Sequence, residues 1–130
     1  MILVDTSAWV EFLRGTGSTT DERVDALLSE EASLATTDVV LMEVLAGARD
    51  DSHRDQLRRL LAGCTFIATE GPRDYEDAAA LYRACRRGGE TIRALTDCLI
   101  AAVAVRAGVP VLHADSDFEA IARHTALAIA

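Results

Sequence analysis

Short, purely apolar runs, each leading into a segment with helical apolar spacing, confine this chain to one fold class. Ile2-Leu3-Val4 is the first run, and Ser7 to Arg14 follows it with Trp9, Phe12 and Leu13 on one side, a core or dimer-contact face. Ser33 to Ala35, Thr65 to Ala68 and Val109 to Leu112 read as further strands, and Ala126 to Ile129 as a last one. Between them the spacing predicts helices over 21–31, from Thr36 or Thr37 to about Gly47, and over 53–61. A long helix begins with a first-turn proline, Pro72, presents Tyr75, Ala78, Ala79, Tyr82 and Cys85 on one face, and ends at Gly88-Gly89. Further helices are expected from about Leu95 to Ala107 and near Phe118 to Arg123. Strands alternating with helices predict an α/β fold, a mainly parallel sheet with helices on both faces. In such sheets ligands bind beyond the carboxyl ends of the strands.

The length of 130 residues, half of them hydrophobic, suits a single domain spanning 1–130. No apolar run approaches the ~20 residues that span a bilayer. The longest, Cys98 to Val105, is bounded by Asp97 and Arg106. Asp5 interrupts the N-terminus and no basic stretch precedes it, so a cytoplasmic location is expected. Cys64, Cys85 and Cys98 form no C-x-x-C pair, and His53, His113 and His124 are scattered. A zinc site or a Ser-His-Asp triad is therefore disfavoured. The net charge of −8 argues against holding nucleic acid by bulk charge. All 13 basic residues are arginine, which excludes any function that requires lysine.

The informative residues are acids within or beside apolar segments. Asp5 ends the first strand, and Glu43 lies within Val39 to Ala48 with no basic residue at helical spacing. Asp97 opens the apolar run 98–105, and Asp115 and Asp117 follow the strand ending at Leu112. An unpaired carboxylate on an apolar face is costly to bury, and a divalent cation would supply the missing charge. Oxygen-only ligation points to Mg²⁺ or Mn²⁺. Each acid also has a structural reading. Asp5 is placed to cap the helix at Ser7, Glu43 to face solvent, and Asp97 to favour a helix start capped by Thr96. Asp115 and Asp117 suit a turn, with Ser116-x-x-Glu119 as a capping box. Capping and metal binding are compatible, and the fold class brings these positions to one edge of the sheet.

Other acidic-pocket folds fail on particular residues. A receiver domain needs a lysine, and a haloacid-dehalogenase-type phosphatase needs an Asp where Ser7 stands. No Gly-rich nucleotide-binding motif occurs, and Asp115-x-Asp117 lacks the later Gly and Glu of a calcium loop. Four segments, in order, resemble the PIN-domain family: Leu3-Val4-Asp5-Thr6-Ser7-Ala8-Trp9, Glu43-Val44-Leu45-Ala46-Gly47, Asp97-Cys98-Leu99-Ile100-Ala101-Ala102 and Asp115-Ser116-Asp117-Phe118. At this size the chain most resembles the VapC ribonuclease toxins of bacterial toxin–antitoxin pairs.

The resemblance implies a three-layer α/β/α sandwich with a five-stranded, mainly parallel sheet. It implies a Mg²⁺-dependent endoribonuclease (Mn²⁺ substituting) that leaves a 5′-phosphate and a 3′-hydroxyl, a homodimer, and a small VapB-type antitoxin as partner. Asp5, Glu43, Asp97 and Asp115 are the expected catalytic residues, with Asp5, Asp97, Asp115 and Asp117 as metal ligands. Which of Asp115 and Asp117 is the closer ligand stays open. Because global charge repels RNA, substrate contacts are expected from Ser7, Arg86, Arg87 and Arg93, the arginines flanking the Gly88-Gly89 loop. A solvated helix end explains those arginines equally well. Arg49, Arg54, Arg58 and Arg59 read as a plain exposed face. A PIN nuclease of RNA maturation or structured DNA, and a non-catalytic PIN-like binding module, are the alternative functions.

Overall fold

The computed structural model describes residues 1–130. Four strands form the sheet: β1 (Ile2–Val4), β2 (Leu34–Thr36), β3 (Thr65–Phe66) and β4 (Val111–Leu112). Seven helices connect and follow them: α1 (Thr6–Arg14), α2 (Thr19–Ser29), α3 (Asp38–Ala46), α4 (Asp51–Ala62), α5 (Arg73–Arg87), α6 (Leu95–Ala107) and α7 (Ser116–His124). The order is β3-β2-β1-β4 and every pairing is parallel. Leu3 lies opposite Ala35 on one side and Val111 on the other.

This order positions the site. The chain steps from β1 outward to β2 and β3 through α1 to α4, then returns past β1 to β4 through α5 and α6. Right-handed crossovers then place the two helix groups on opposite faces. The packing agrees: α1 contacts α2 and α3, α3 contacts α4, and α5, α6 and α7 pack together. The reversal of direction falls between β1 and β4, and their carboxyl ends form the crevice of an open parallel sheet.

The expected fifth strand is reduced to one bridge, between Val111 and Ile129. The turn after α7 occupies residues 125–127: Thr125 Oγ1 donates to Ile121 O at 2.7 Å and accepts from Leu127 N at 3.3 Å. Strand β4 is also shorter than the apolar run 109–112. Val109 N closes the end of α6 on Ala104 O at 3.0 Å, and Pro110 has no N–H to give to a ladder.

Helix α6 is buried without interruption from Asp97 to Ala104, the mark of a helix enclosed on all sides. Ile100, Val103, Leu3, Val4, Trp9, Val111, Phe118 and Ile121 are fully buried around it. Phe12 is half-buried and Leu13 is exposed, so of these three apolar residues only Trp9 is fully buried, beside Ala8. No helix is long and apolar enough to cross a membrane. Cys85 and Cys98 are buried free thiols, and burial pushes Cys98 up to about 12.

The expected inner face of α5 is shifted. Tyr75 and Ala79 are exposed, whereas Asp74, Ala78 and Cys85 are buried. Asp74 occupies a core position because Arg106 of α6 meets it with a fork, Nε to Oδ1 at 2.9 Å and Nη2 to Oδ2 at 2.9 Å. The guanidinium holds the Asp74 carboxyl below its ordinary value. Pro72 stands one position before α5 rather than within its first turn.

Candidate active site

Strand β1 delivers Asp5 to the crevice, where it caps α1. Its Oδ2 accepts from Ser7 N at 2.9 Å and from Ser7 Oγ at 2.5 Å. The Ser7 hydroxyl in turn accepts from Ala114 N at 2.9 Å, so one side chain ties the end of β1 to the loop after β4. Asp5 is 3% exposed, and its Oδ1 is buried without a hydrogen-bond partner. Burial raises its pKa, and the Ser7 bonds oppose the rise.

Asp97 lies in the first turn of α6 and is 8% exposed. The helix begins at Leu95 with Ala94 in the cap position, so Thr96 is not the cap. Asp97 Oδ2 is buried and unpartnered. Burial first, then the negative charges of Asp5 and Asp115, push Asp97 up to about 8.

Asp115, not Ser116, caps α7: its Oδ1 accepts from Asp117 N at 3.0 Å. The expected capping box is therefore replaced, and Glu119 instead reaches His113 Nε2 at 3.1 Å. His113 Nδ1 accepts from Asp115 N at 3.1 Å and its ring packs on Phe118. The sequence reading had no role for this histidine, which orders the backbone that carries Asp115. Carboxylate oxygens of Asp97, Asp115 and Asp117 lie within 4.8 Å of one another.

Glu43, half-buried on α3, joins from the other helix group. Its Oε1 accepts from Thr6 Oγ1 at 2.9 Å, which links it to the residue after Asp5. Burial and then the Asp5 charge raise its pKa, with the Thr6 bond opposing.

One expectation is corrected here: the acids are not wholly uncompensated. Arg93 Nη2 contacts Asp115 Oδ1 at 3.0 Å, and Arg93 Nε lies 3.3 Å from Asp117 Oδ2. Arg93 N also donates to Asp117 Oδ2 at 3.1 Å. Asp5, Glu43 and Asp97 have no cation in contact. Arg86 and Arg87 are exposed at the end of α5 and are not ion-paired, and Arg86 lies 5.7 Å from the Tyr82 ring centroid.

The donor set fits a hard divalent cation. It is oxygen-only, and two buried carboxylate oxygens, Asp5 Oδ1 and Asp97 Oδ2, lack any partner. A cation there would favour the charged form of Asp97, which burial and then the neighbouring carboxylates disfavour.

Comparison with known proteins finds relatives along nearly the whole chain. The PIN domain family pattern matches residues 2–124. A VapC ribonuclease of Mycobacterium bovis is 49% identical over 128 residues, 98% of this chain and 96% of that protein. Ribonuclease VapC11 of Mycobacterium tuberculosis shows the same 49% identity, with 98% and 96% of the two chains covered. Among solved structures, VapBC2 from Rickettsia felis, bound to a DNA fragment from its promoter, superposes with a TM-score of 0.73 at 16% identity, covering 100% of this chain and 98% of that one. VapC20 of Mycobacterium tuberculosis, a toxin that cleaves the sarcin–ricin loop, superposes with a TM-score of 0.66 at 20% identity, covering 92% and 94%. The two structural likenesses extend to the fold.

Proposed function

The chain belongs to the PIN-domain family, among the VapC ribonucleases, and on that premise we propose that it is a Mg²⁺-dependent endoribonuclease acting as the toxin of a toxin–antitoxin pair. The observation that carries the metal reading is the pair of unpartnered, buried carboxylate oxygens on Asp5 and Asp97 beside Asp115. Asp5, Asp97 and Asp115 would hold the ion. Glu43 would complete the acidic ring. Asp117, whose carboxylate is taken up by Arg93, would support rather than lead. The ion, when bound, supplies an activated water and a counter-charge for the transition state.

The chain's own residues prepare the rest. Ser7 fixes Asp5 so that Oδ1 stays directed away from the capping bonds. Thr6 orients Glu43, and His113 orients the Asp115 backbone. Ser7, Arg86, Arg87 and Arg93 would meet the RNA backbone, giving local positive charge on a chain of net charge −8. A VapB-type antitoxin and a second copy of the chain are the proposed partners.

Purified, partner-free protein incubated with a mixed RNA pool tests this reading. Cleavage is expected with Mg²⁺ or Mn²⁺ and none with excess EDTA. Cleavage that survives complete chelation refutes the metal assignment.

A further inference from the structure

Arg93 is the single cation in contact with the acidic cluster, and its guanidinium takes two of its members. Nη2 is 3.0 Å from Asp115 Oδ1 and Nε is 3.3 Å from Asp117 Oδ2. Asp117 is held both by the guanidinium and by the Arg93 backbone N–H at 3.1 Å. The side chain nonetheless remains 71% exposed, so water lies along an exit path.

The backbone around Arg93 is far less free. Ile92 is 3% exposed. Glu90 is ion-paired with Arg123 and accepts from Arg123 Nε at 3.0 Å; its Oε2 lies 2.7 Å from His124 Nε2. Gly88 is pressed against His124 so closely that a Cβ there would lie 2.3 Å from the ring. The loop between α5 and α6 is thus fixed to α7, and a change at Arg93 is confined to its side chain.

The metal reading gives this arrangement a consequence. Asp115 meets the guanidinium through Oδ1, and its carboxylate lies within 4.8 Å of a carboxylate oxygen of Asp97. A divalent cation placed among these carboxylates lies close to the Arg93 charge, and like charges in a partly buried site repel. We infer that Arg93 is a built-in counter-cation: it neutralises Asp115 and Asp117 while the cluster is empty of metal, and its guanidinium must leave both carboxylates for a divalent ion to load. Asp117 keeps the backbone N–H of Arg93 throughout, so the side chain swings on a fixed hinge. The arginine then sets a threshold on metal affinity. This inference rests on the proposed metal site but not on RNA cleavage.

Mn²⁺ binding to the full chain tests it, with free Mn²⁺ followed by electron paramagnetic resonance for wild type, Arg93→Gln and Arg93→Lys. Arg93→Gln should bind Mn²⁺ roughly tenfold more tightly, the factor equivalent to about 1.4 kcal/mol of relieved repulsion. Arg93→Lys keeps the charge but loses the fork, and should fall between the two. Arg58→Gln removes an exposed cation on α4 without an ion pair and should change affinity less than about twofold. In wild type, the Arg93 Nε–H signal in a ¹H–¹⁵N spectrum, assigned by its loss in Arg93→Lys, should move to the position of a solvated guanidinium when Mg²⁺ replaces EDTA. Equal Mn²⁺ affinity in wild type and Arg93→Gln, or an Nε–H signal unmoved by Mg²⁺, overturns the inference while leaving the metal site intact. No Mn²⁺ binding by either protein overturns both.

Discussion

Replacing Asp97 with Asn should stabilise the metal-free protein, although Asp97 is buried in the first turn of a core helix. Burial and the charges of Asp5 and Asp115 raise its pKa from 3.8 to about 8 in the folded chain. Between those values the folded state retains a proton that the unfolded state releases. The Asp97 contribution to stability therefore falls as pH rises from about 4 to about 8, and that contribution is level outside the window. At pH 7 the span above 3.8 corresponds to an upper bound of about 4 kcal/mol, at about 1.4 kcal/mol per pH unit. Asn has nearly the same shape and no charge to remove from water. It still buries an amide where Oδ2 lacked a partner, which offsets part of the gain. A net stabilisation of about 1–3 kcal/mol is expected, or roughly 4–12 °C in Tm. Thermal and urea melts in EDTA, near pH 5 and pH 8, measure it. Wild type should lose stability between the two pH values, and Asp97→Asn should lose much less. Mg²⁺ at about a thousand times its Kd should reverse the order, since it then adds about 4.1 kcal/mol to a protein that binds it. RNA cleavage by Asp97→Asn should be abolished. If Asp97→Asn melts below wild type in EDTA, or wild-type stability does not fall with pH, the repulsion argument is wrong.

Asp74→Asn should behave in the opposite way. It leaves Arg106 with Glu70 Oε1 at 3.3 Å and Ala68 O at 2.8 Å but a neutral amide in place of its buried carboxylate, and should cost about 1.5–3 kcal/mol near neutral pH, read by urea denaturation. Because Arg106 lowers the Asp74 pKa, the pair's stabilisation is present above the unfolded carboxylate pKa and fades as pH falls through the folded one. The variant's acid-unfolding limb should be correspondingly shallower. Ser7→Ala removes the hydroxyl's bond to Asp5 Oδ2 and the acceptor of Ala114 N, while the backbone N–H bond to Asp5 stays, and should cost about 1–3 kcal/mol. It should also weaken Mn²⁺ binding, whereas a purely structural serine would leave affinity unchanged.

The sequence by itself determined the α/β class, the parallel sheet and most elements to within a few residues. Apolar periodicity, caps and glycine stops are properties of neighbouring residues, so they can be read along the chain. Asp5 and Asp97 were legible for the same reason: each interrupts or opens an apolar run without a local partner. What the tertiary structure decided lies in pairs distant along the chain. Thr6 meets Glu43 across 37 positions, and Ser7 meets Ala114 across 107. Arg93 meets Asp115 and Asp117 across 22 and 24 positions, which compensates two acids that looked unpaired. Arg106 meets Asp74 across 32 positions and places an acid in the core face of α5, where periodicity alone had placed Tyr75. A charge can occupy an apolar stripe only when a distant partner neutralises it, and spacing along the chain carries no record of which distant residue that is.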